Sequence, residues 1–295
     1  MYKALRYIVI LALIGVGIFW VVTRPAQVDA AQVAQLSTDA VRGETVFWAA
    51  GCAACHAAPG AEDEERRVLS GGTAFPSPFG TFHAPNISPD PDHGIGGWSV
   101  AELASAMLHG TAPDGAHYYP AFPYASYARA TLDDVGDLHA YLMTLPASDT
   151  PSRPHDVGFP FNIRRSLGGW KWLFAHDDWI VPVTGETLER GRYLVEALGH
   201  CGECHTPRNV LGGLDYGRWL QGAPSPDGKG RVPAITPDKL DWSERDIAAY
   251  LSTGFTPEFD VAGGHMTEVV KNLAHLPEDD LSAIAAYLKA VPPGS

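Results

Sequence analysis

Cys52-Ala53-Ala54-Cys55-His56 and Cys201-Gly202-Glu203-Cys204-His205 use every cysteine in this 295-residue chain. Cys-x-x-Cys-His is the attachment pattern of c-type haem. Two thiols at this spacing each add to one porphyrin vinyl group, and the adjacent imidazole is held beneath the ring as proximal iron ligand. The pattern marks Cys52, Cys55, Cys201 and Cys204 as haem-binding residues and His56 and His205 as iron ligands, with two covalent haem c groups in all. The competing chemistries are a zinc site, a redox dithiol and two disulfides. A zinc ribbon sets its Cys pairs roughly 15 to 20 residues apart, whereas His56 and His205 stand 149 residues apart. A redox dithiol does not call for a histidine next in line, still less twice.

The surroundings of the two motifs repeat in the same order. Arg42-Gly43-Glu44-Thr45-Val46-Phe47-Trp48 leads into the first, and Arg190-Gly191-Arg192-Tyr193-Leu194-Val195 into the second. Downstream, Asn86-Ile87-Ser88-Pro89-Asp90 matches Ala234-Ile235-Thr236-Pro237-Asp238, and Trp98-Ser99 matches Trp242-Ser243. Gly110-Thr111-Ala112-Pro113-Asp114 then matches Gly254-Phe255-Thr256-Pro257-Glu258, and Leu138-His139-Ala140-Tyr141-Leu142 matches Ile284-Ala285-Ala286-Tyr287-Leu288. One small domain is written twice.

Each copy reads as helical. Ser99 and Ser243 are predicted N-caps, with Glu102 and Asp246 three residues on in a capping-box arrangement. Gly110 and Gly254 are the expected helix ends. The last helix of each copy opens on acidic residues suited to a helix dipole, Asp133 and Asp134 in one and Glu278, Asp279 and Asp280 in the other. The connections are rich in Gly and Pro and show no alternating strand pattern. The predicted organisation is a membrane anchor or signal segment over 1–30, domain one over 38–146, a connector over 147–184 and domain two over 185–293. The connector carries Phe159, Phe161, Trp170, Trp172, Phe174 and Trp179, too aromatic for a loose tether, and is expected to pack on the domains.

Lys3 and Arg6 precede an uncharged stretch from Tyr7 to Val22, closed by Arg24-Pro25. Its length lies between a signal peptide and a full span. An uncleaved anchor is the favoured expectation, with cleavage at Val28-Asp29-Ala30 as the alternative that would leave a soluble periplasmic protein. Basic residues at the extreme N-terminus place the remainder across the bacterial inner membrane, in the periplasm.

Beyond the motifs, the chain resembles the multi-haem cytochrome c subunits of membrane-bound bacterial alcohol and aldehyde dehydrogenases and their free-standing dihaem relatives. The resemblance rests on Pro78-Phe79-Gly80-Thr81, Ala84-Pro85-Asn86-Ile87-Ser88-Pro89-Asp90, Gly94-Ile95-Gly96-Gly97-Trp98-Ser99, Asp114 to Tyr124 and Gly199 to Asn209. It implies a mainly α fold: a tandem duplication of a small class I cytochrome c-like domain behind an N-terminal transmembrane helix. The implied partners are a periplasmic or membrane dehydrogenase as donor and a cytochrome, quinone or oxidase as acceptor. Those relatives often carry a third haem domain; this chain stops after two. The resemblance also implies that Pro207 and Arg208 orient the proximal imidazole and pair with a propionate, and Asn86, Ser88 and Thr236 are candidates for further propionate bonds.

The two distal sites differ. Met266, 61 residues after His205 and beside Gly263-Gly264, is the expected sixth ligand of the second iron. Trp98 with Trp242 and Gly110 with Gly254 align at an offset of 144, which carries Met266 onto Phe122. Phenylalanine cannot ligate iron. His117, in the same loop, is the leading substitute; Tyr118 and Tyr119 are weaker, His83, His93 and His109 lack support from the repeat, and Met107 and Met143 read as helix core. An open first haem, expected at lower potential than the second, is the other outcome. It keeps a dihaem redox enzyme, peroxidase-like, as the alternative to an electron relay. The run Glu62-Asp63-Glu64-Glu65-Arg66-Arg67 reads as a solvated loop. A net charge of -13 disfavours nucleic acid as a partner and suits a basic docking face. No Gly-rich phosphate loop, catalytic triad or paired-carboxylate motif rises above background.

Overall fold

The computed structural model describes residues 2–225 and 230–293. Helix α1 (Tyr2–Val22) is long and apolar enough to cross a membrane, with none of its span buried against the rest of the chain. At about 1.5 Å per residue it matches a hydrocarbon core of about 30 Å. After the short α2 (Ala30–Val33), the first half comprises α3 (Ala40–Ala49), α4 (Cys52–His56), α5 (Val100–His109), α6 (Tyr124–Tyr127) and α7 (Leu132–Leu142). Helix α8 (Leu167–Phe174) lies in the intervening segment. The second half comprises α9 (Glu186–Arg192), α10 (Gly202–His205), α11 (Glu244–Thr253), α12 (His265–Leu273) and α13 (Glu278–Ala290).

The repeated Arg-Gly pairs fix the principal helix crossings. Arg42 holds both carboxylate oxygens of Asp137 on α7, at 2.7 and 2.9 Å. Arg190 does the same to Asp280 on α13, at 2.7 Å for each bond. Next to each arginine, glycine lets two helices touch backbone to backbone. A Cβ at Gly43 would stand 2.0 Å from the Asp137 carbonyl oxygen, and one at Gly191 2.0 Å from that of Ala283. Phe47, Leu138 and Leu142 close the first core, and Leu194, Leu198, Tyr287 and Leu288 the second. The capping boxes at Ser99/Glu102 and Ser243/Asp246 form as the sequence predicts, and Gly110 and Gly254 end α5 and α11 in the left-handed conformation.

The halves differ where the sequence gains a residue. Arg42 precedes Cys52 by ten positions and Arg190 precedes Cys201 by eleven. The extra residue is absorbed as a π-helical turn, Tyr193–Leu198, that continues α9 into the second motif. Such single-turn widenings keep both flanking faces in register.

Two features depart from the sequence reading. Antiparallel ribbons form between β1 (Ala74–Ser77) and β2 (Gly80–His83), and between β3 (Ala223–Pro224) and β4 (Arg231–Val232). Pairs of four and two residues are too short for alternation to register. Asp156 extends the first ribbon through a bridge to Thr81, so the segment after α7 folds back onto the first half. The acidic residues Glu62 to Glu65 are exposed as expected, but the basic end of the run is not solvated. Asp63–Arg67 is a 3-10 turn whose Arg66 is 4% exposed, ion-paired with Glu268 and bonded to Asn272 Oδ1 at 2.9 Å. A guanidinium this buried requires charged or polar partners, and α12 of the other half supplies them.

Candidate haem sites

Each motif helix follows its core helix after one tight turn, and the chain downstream of each motif closes over the histidine in the same way. His56 Nδ1 donates to the Pro85 carbonyl at 2.9 Å, and His205 Nδ1 to the Pro233 carbonyl at 2.8 Å. The histidine carbonyls in turn accept from Gly71 and Gly222, both at 2.7 Å. These glycines have φ of 73° and 77° and lie against the chain that carries the proline, where a Cβ would meet backbone atoms under 3.0 Å away. A proton fixed on Nδ1 leaves Nε2 as the lone-pair nitrogen, and an N–H bond of this kind sets the ring orientation of metal-ligating histidines. Burial pushes both imidazoles down, in the direction of the neutral form.

Above the first motif lies a cavity of about 560 Å³ bordered by Cys52, Cys55 and His56. This volume is in the usual cofactor range of about 300–1,000 Å³. Most of its wall is apolar, including Ile87, Ile95, Leu103, Phe122 and Leu138, while Arg153 and Arg164 provide cations at the lining. His83, also on the wall and 4% exposed, has an Nδ1 with no hydrogen-bond partner among the described residues. An apolar chamber beside two thiols and a lone-pair nitrogen, with cations for carboxylates, fits a porphyrin. Near the second motif, the Trp219 ring packs on Gly202, and Trp219 Nε1 and Thr236 Oγ1 are buried without partners among the described residues.

Cys52, Cys55 and Cys201 are half-buried, and Cys204 is exposed. Burial pushes Cys52 and Cys201 up to about 12, in each case with the second thiol of the same motif adding to the shift. Cys55 is pushed up to about 11 by burial, and the second contribution comes from Cys204 of the other motif.

The two motifs adjoin, with His200 on the wall of the cavity that Cys52 and Cys55 border, and their neighbours interlock reciprocally. Helix α6 of the first half packs on the turn leading into the second motif: Tyr127 faces His200 at 5.5 Å between ring centroids, and Ser126 Oγ donates to Glu203 Oε1 at 3.0 Å. The Tyr127 hydroxyl donates to the Ala50 carbonyl at 2.7 Å, just before the first motif. Helix α12 of the second half packs on α3 and α4, near the stack of His275 on Trp48 at 3.8 Å and 11°.

Other expected site residues fall as follows. Met266 is half-buried against the core, on the first turn of α12 rather than in a loop. Phe122, Tyr118 and Tyr119 line the first cavity. His117 does not, and both of its ring nitrogens are taken. Lys171 Nζ donates to Nδ1 at 3.0 Å, so Nε2 carries the proton and donates to the Thr23 carbonyl at 2.9 Å. No lone pair remains for iron. Arg208 pairs with Glu203 and the Gly212 carbonyl rather than presenting a free guanidinium. Asn86 spends its amide on the Ser148 and Thr150 carbonyls, both at 2.8 Å, and its oxygen on the Ser88 N–H. His200, on the wall of the first cavity but contributed by the second half, was missed; its place directly before Cys201 was the only sequence signal.

Helices wrapped about two Cys-x-x-Cys-His motifs, each histidine tethered to a proline carbonyl, define a c-type cytochrome. Residues 40–146 match the cytochrome c family. The chain is 59% identical to a "Diheme cytochrome c-type" of Cereibacter sphaeroides, over 94% of each chain. It is 41% identical to a fructose dehydrogenase cytochrome subunit of Gluconobacter japonicus, over 85% of this chain and 52% of that one. With the cytochrome c subunit of an alcohol dehydrogenase (quinone) from Gluconacetobacter polyoxogenes the figures are 36%, 82% and 53%. It thus spans about half the length of these two dehydrogenase subunits. The chain belongs to the dihaem c-type cytochromes and carries two covalently bound haem c groups.

Proposed function

We propose that this protein relays electrons from a dehydrogenase to a cytochrome, quinone or oxidase, through two haems bound next to each other. The adjoining motifs carry the reading: Tyr127 bonds the Ala50 carbonyl just before the first motif and packs on His200 just before the second, and Ser126 donates to Glu203 within the second. In this scheme the S–H of Cys52, Cys55, Cys201 and Cys204 adds across a vinyl double bond, sulfur to one carbon and hydrogen to the other, without an oxidant. His56 and His205 are the proximal ligands, and Met266 supplies the thioether on the second iron. The paired Arg-Gly crossings, capping boxes and proline tethers support a duplicated domain over 38–146 and 185–293, joined by 147–184. Dehydrogenase cytochrome subunits among the relatives support the donor class.

A simple relay is favoured by irons closed to exogenous ligands. Carbon monoxide added to the reduced protein should leave its spectrum unchanged. Strong binding at one haem would favour the redox-enzyme reading, for which Phe122 at the Met266-equivalent position is the one supporting feature.

The haem domains belong on the periplasmic face, held by α1 as a retained anchor. Thr23, at the end of α1, is 1% exposed and keyed into the fold. Its carbonyl takes the His117 bond, its hydroxyl accepts from Arg165 Nε at 2.9 Å, and Gly168 packs against it. Val28 N–H donates to Ser105 Oγ at 2.9 Å. Cleavage after Ala30 would strip all of these. Washed membranes should retain the protein in high salt and release it in detergent; a soluble mature form starting near Ala31 would contradict this.

A further inference from the structure

Phe122 leaves the first haem without the methionine its duplicate has, and His117 is committed to Thr23 and Lys171. We propose that Met107, on α5, is the sixth ligand of the first iron. This assignment rests on the relay reading above.

Three observations carry it. First, Met107 lines the cavity shared by Cys52, Cys55 and His56, is 4% exposed, and brings the one thioether to the described part of that wall. Second, the offset of 144 that carries Phe122 onto Met266 carries Met107 onto Leu251. Each half thus holds one methionine in this pair of positions, with the places exchanged: Met107 and Phe122 in the first, Leu251 and Met266 in the second. Third, the residue beside Met107 is Ala106, where the second half has Tyr250. Ala106 also lines the cavity, and its small side chain leaves room for a methionine to lean across the ring.

The remaining lining histidines are placed otherwise. His83 stands two residues before Pro85, whose carbonyl tethers His56, so its chain runs on the proximal side. His155 Nδ1 accepts from the His83 backbone N–H at 3.1 Å. His200 stands against Tyr127 at the start of the second motif.

Met107→Leu and the double variant Met107→Leu/Phe122→Met separate the outcomes. Leucine is close to methionine in volume, so the fold should tolerate the single change, and intact mass checks that both haems remain attached. Oxidised wild-type protein should show sulfur-to-iron charge-transfer absorption from both haems. Met107→Leu should lose about half of it and gain carbon monoxide binding at one reduced haem. The double variant copies the Leu251/Met266 arrangement and should restore the lost absorption. Unchanged absorption and no carbon monoxide binding in Met107→Leu would overturn the assignment while leaving the relay intact. Carbon monoxide binding to the wild type would overturn the assignment and favour the redox-enzyme reading over the relay.

Discussion

Replacing Met266 with leucine should lower the reduction potential of one haem by on the order of 0.1 V and leave the other in place. Thioether ligation stabilises ferrous over ferric iron, and axial ligands shift haem potentials over a range of about 0.8 V. Met266 occupies the first turn of α12, whose later turns hold Arg66 through Glu268 and Asn272. The helix is therefore fixed against the first half independently of the methionine, and the substitution should not release it. Potentiometric titration of the variant reads the effect. Two unchanged midpoints would show that the second iron takes its sixth ligand elsewhere.

Glu196→Ala should cost about 3 kcal/mol or more in stability, the largest such effect expected from one side chain here. Glu196 is fully buried in the π-helical turn before the second motif. Its carboxylate accepts from Ile180 N–H at 2.7 Å, Val181 N–H at 3.0 Å and the Tyr287 hydroxyl. Truncation strands the donors of buried Val181 and Tyr287 and of half-buried Ile180, a buried unpaired donor costing about 1–3 kcal/mol. Denaturant unfolding followed by far-ultraviolet circular dichroism measures the loss. Glutamine can still accept with its one oxygen, so Glu196→Gln should retain part of the stability. A change below about 1 kcal/mol in the alanine variant would mean that water replaces the carboxylate.

The repeat made much of the chain legible. Ser99, Ser243, Gly110 and Gly254 act locally, and their capping roles needed no tertiary knowledge. Cys-x-x-Cys-His carries its own chemistry. What failed was set by long-range partners. Arg66 looked solvated because its counterparts, Glu268 and Asn272, lie some 200 positions away. His117 looked like an iron ligand because it shares a loop with Phe122, and only the fold reveals Thr23 and Lys171 on its two nitrogens. Met107 read as core because a buried helical methionine packs in the same way whether or not it ligates. With Met107 on the first iron, the large potential gap expected from an open or bis-histidine site is no longer required. The π-helical turn was recoverable from the one extra residue between Arg190 and Cys201.

The central claim is that the two haems exchange electrons within one molecule. Flash reduction by a substoichiometric photochemical donor, followed at wavelengths where the two haems differ, tests it most directly. Redistribution between them should be a single first-order phase whose rate is independent of protein concentration. A rate that rises in proportion to protein concentration, with no intramolecular phase, would contradict the account.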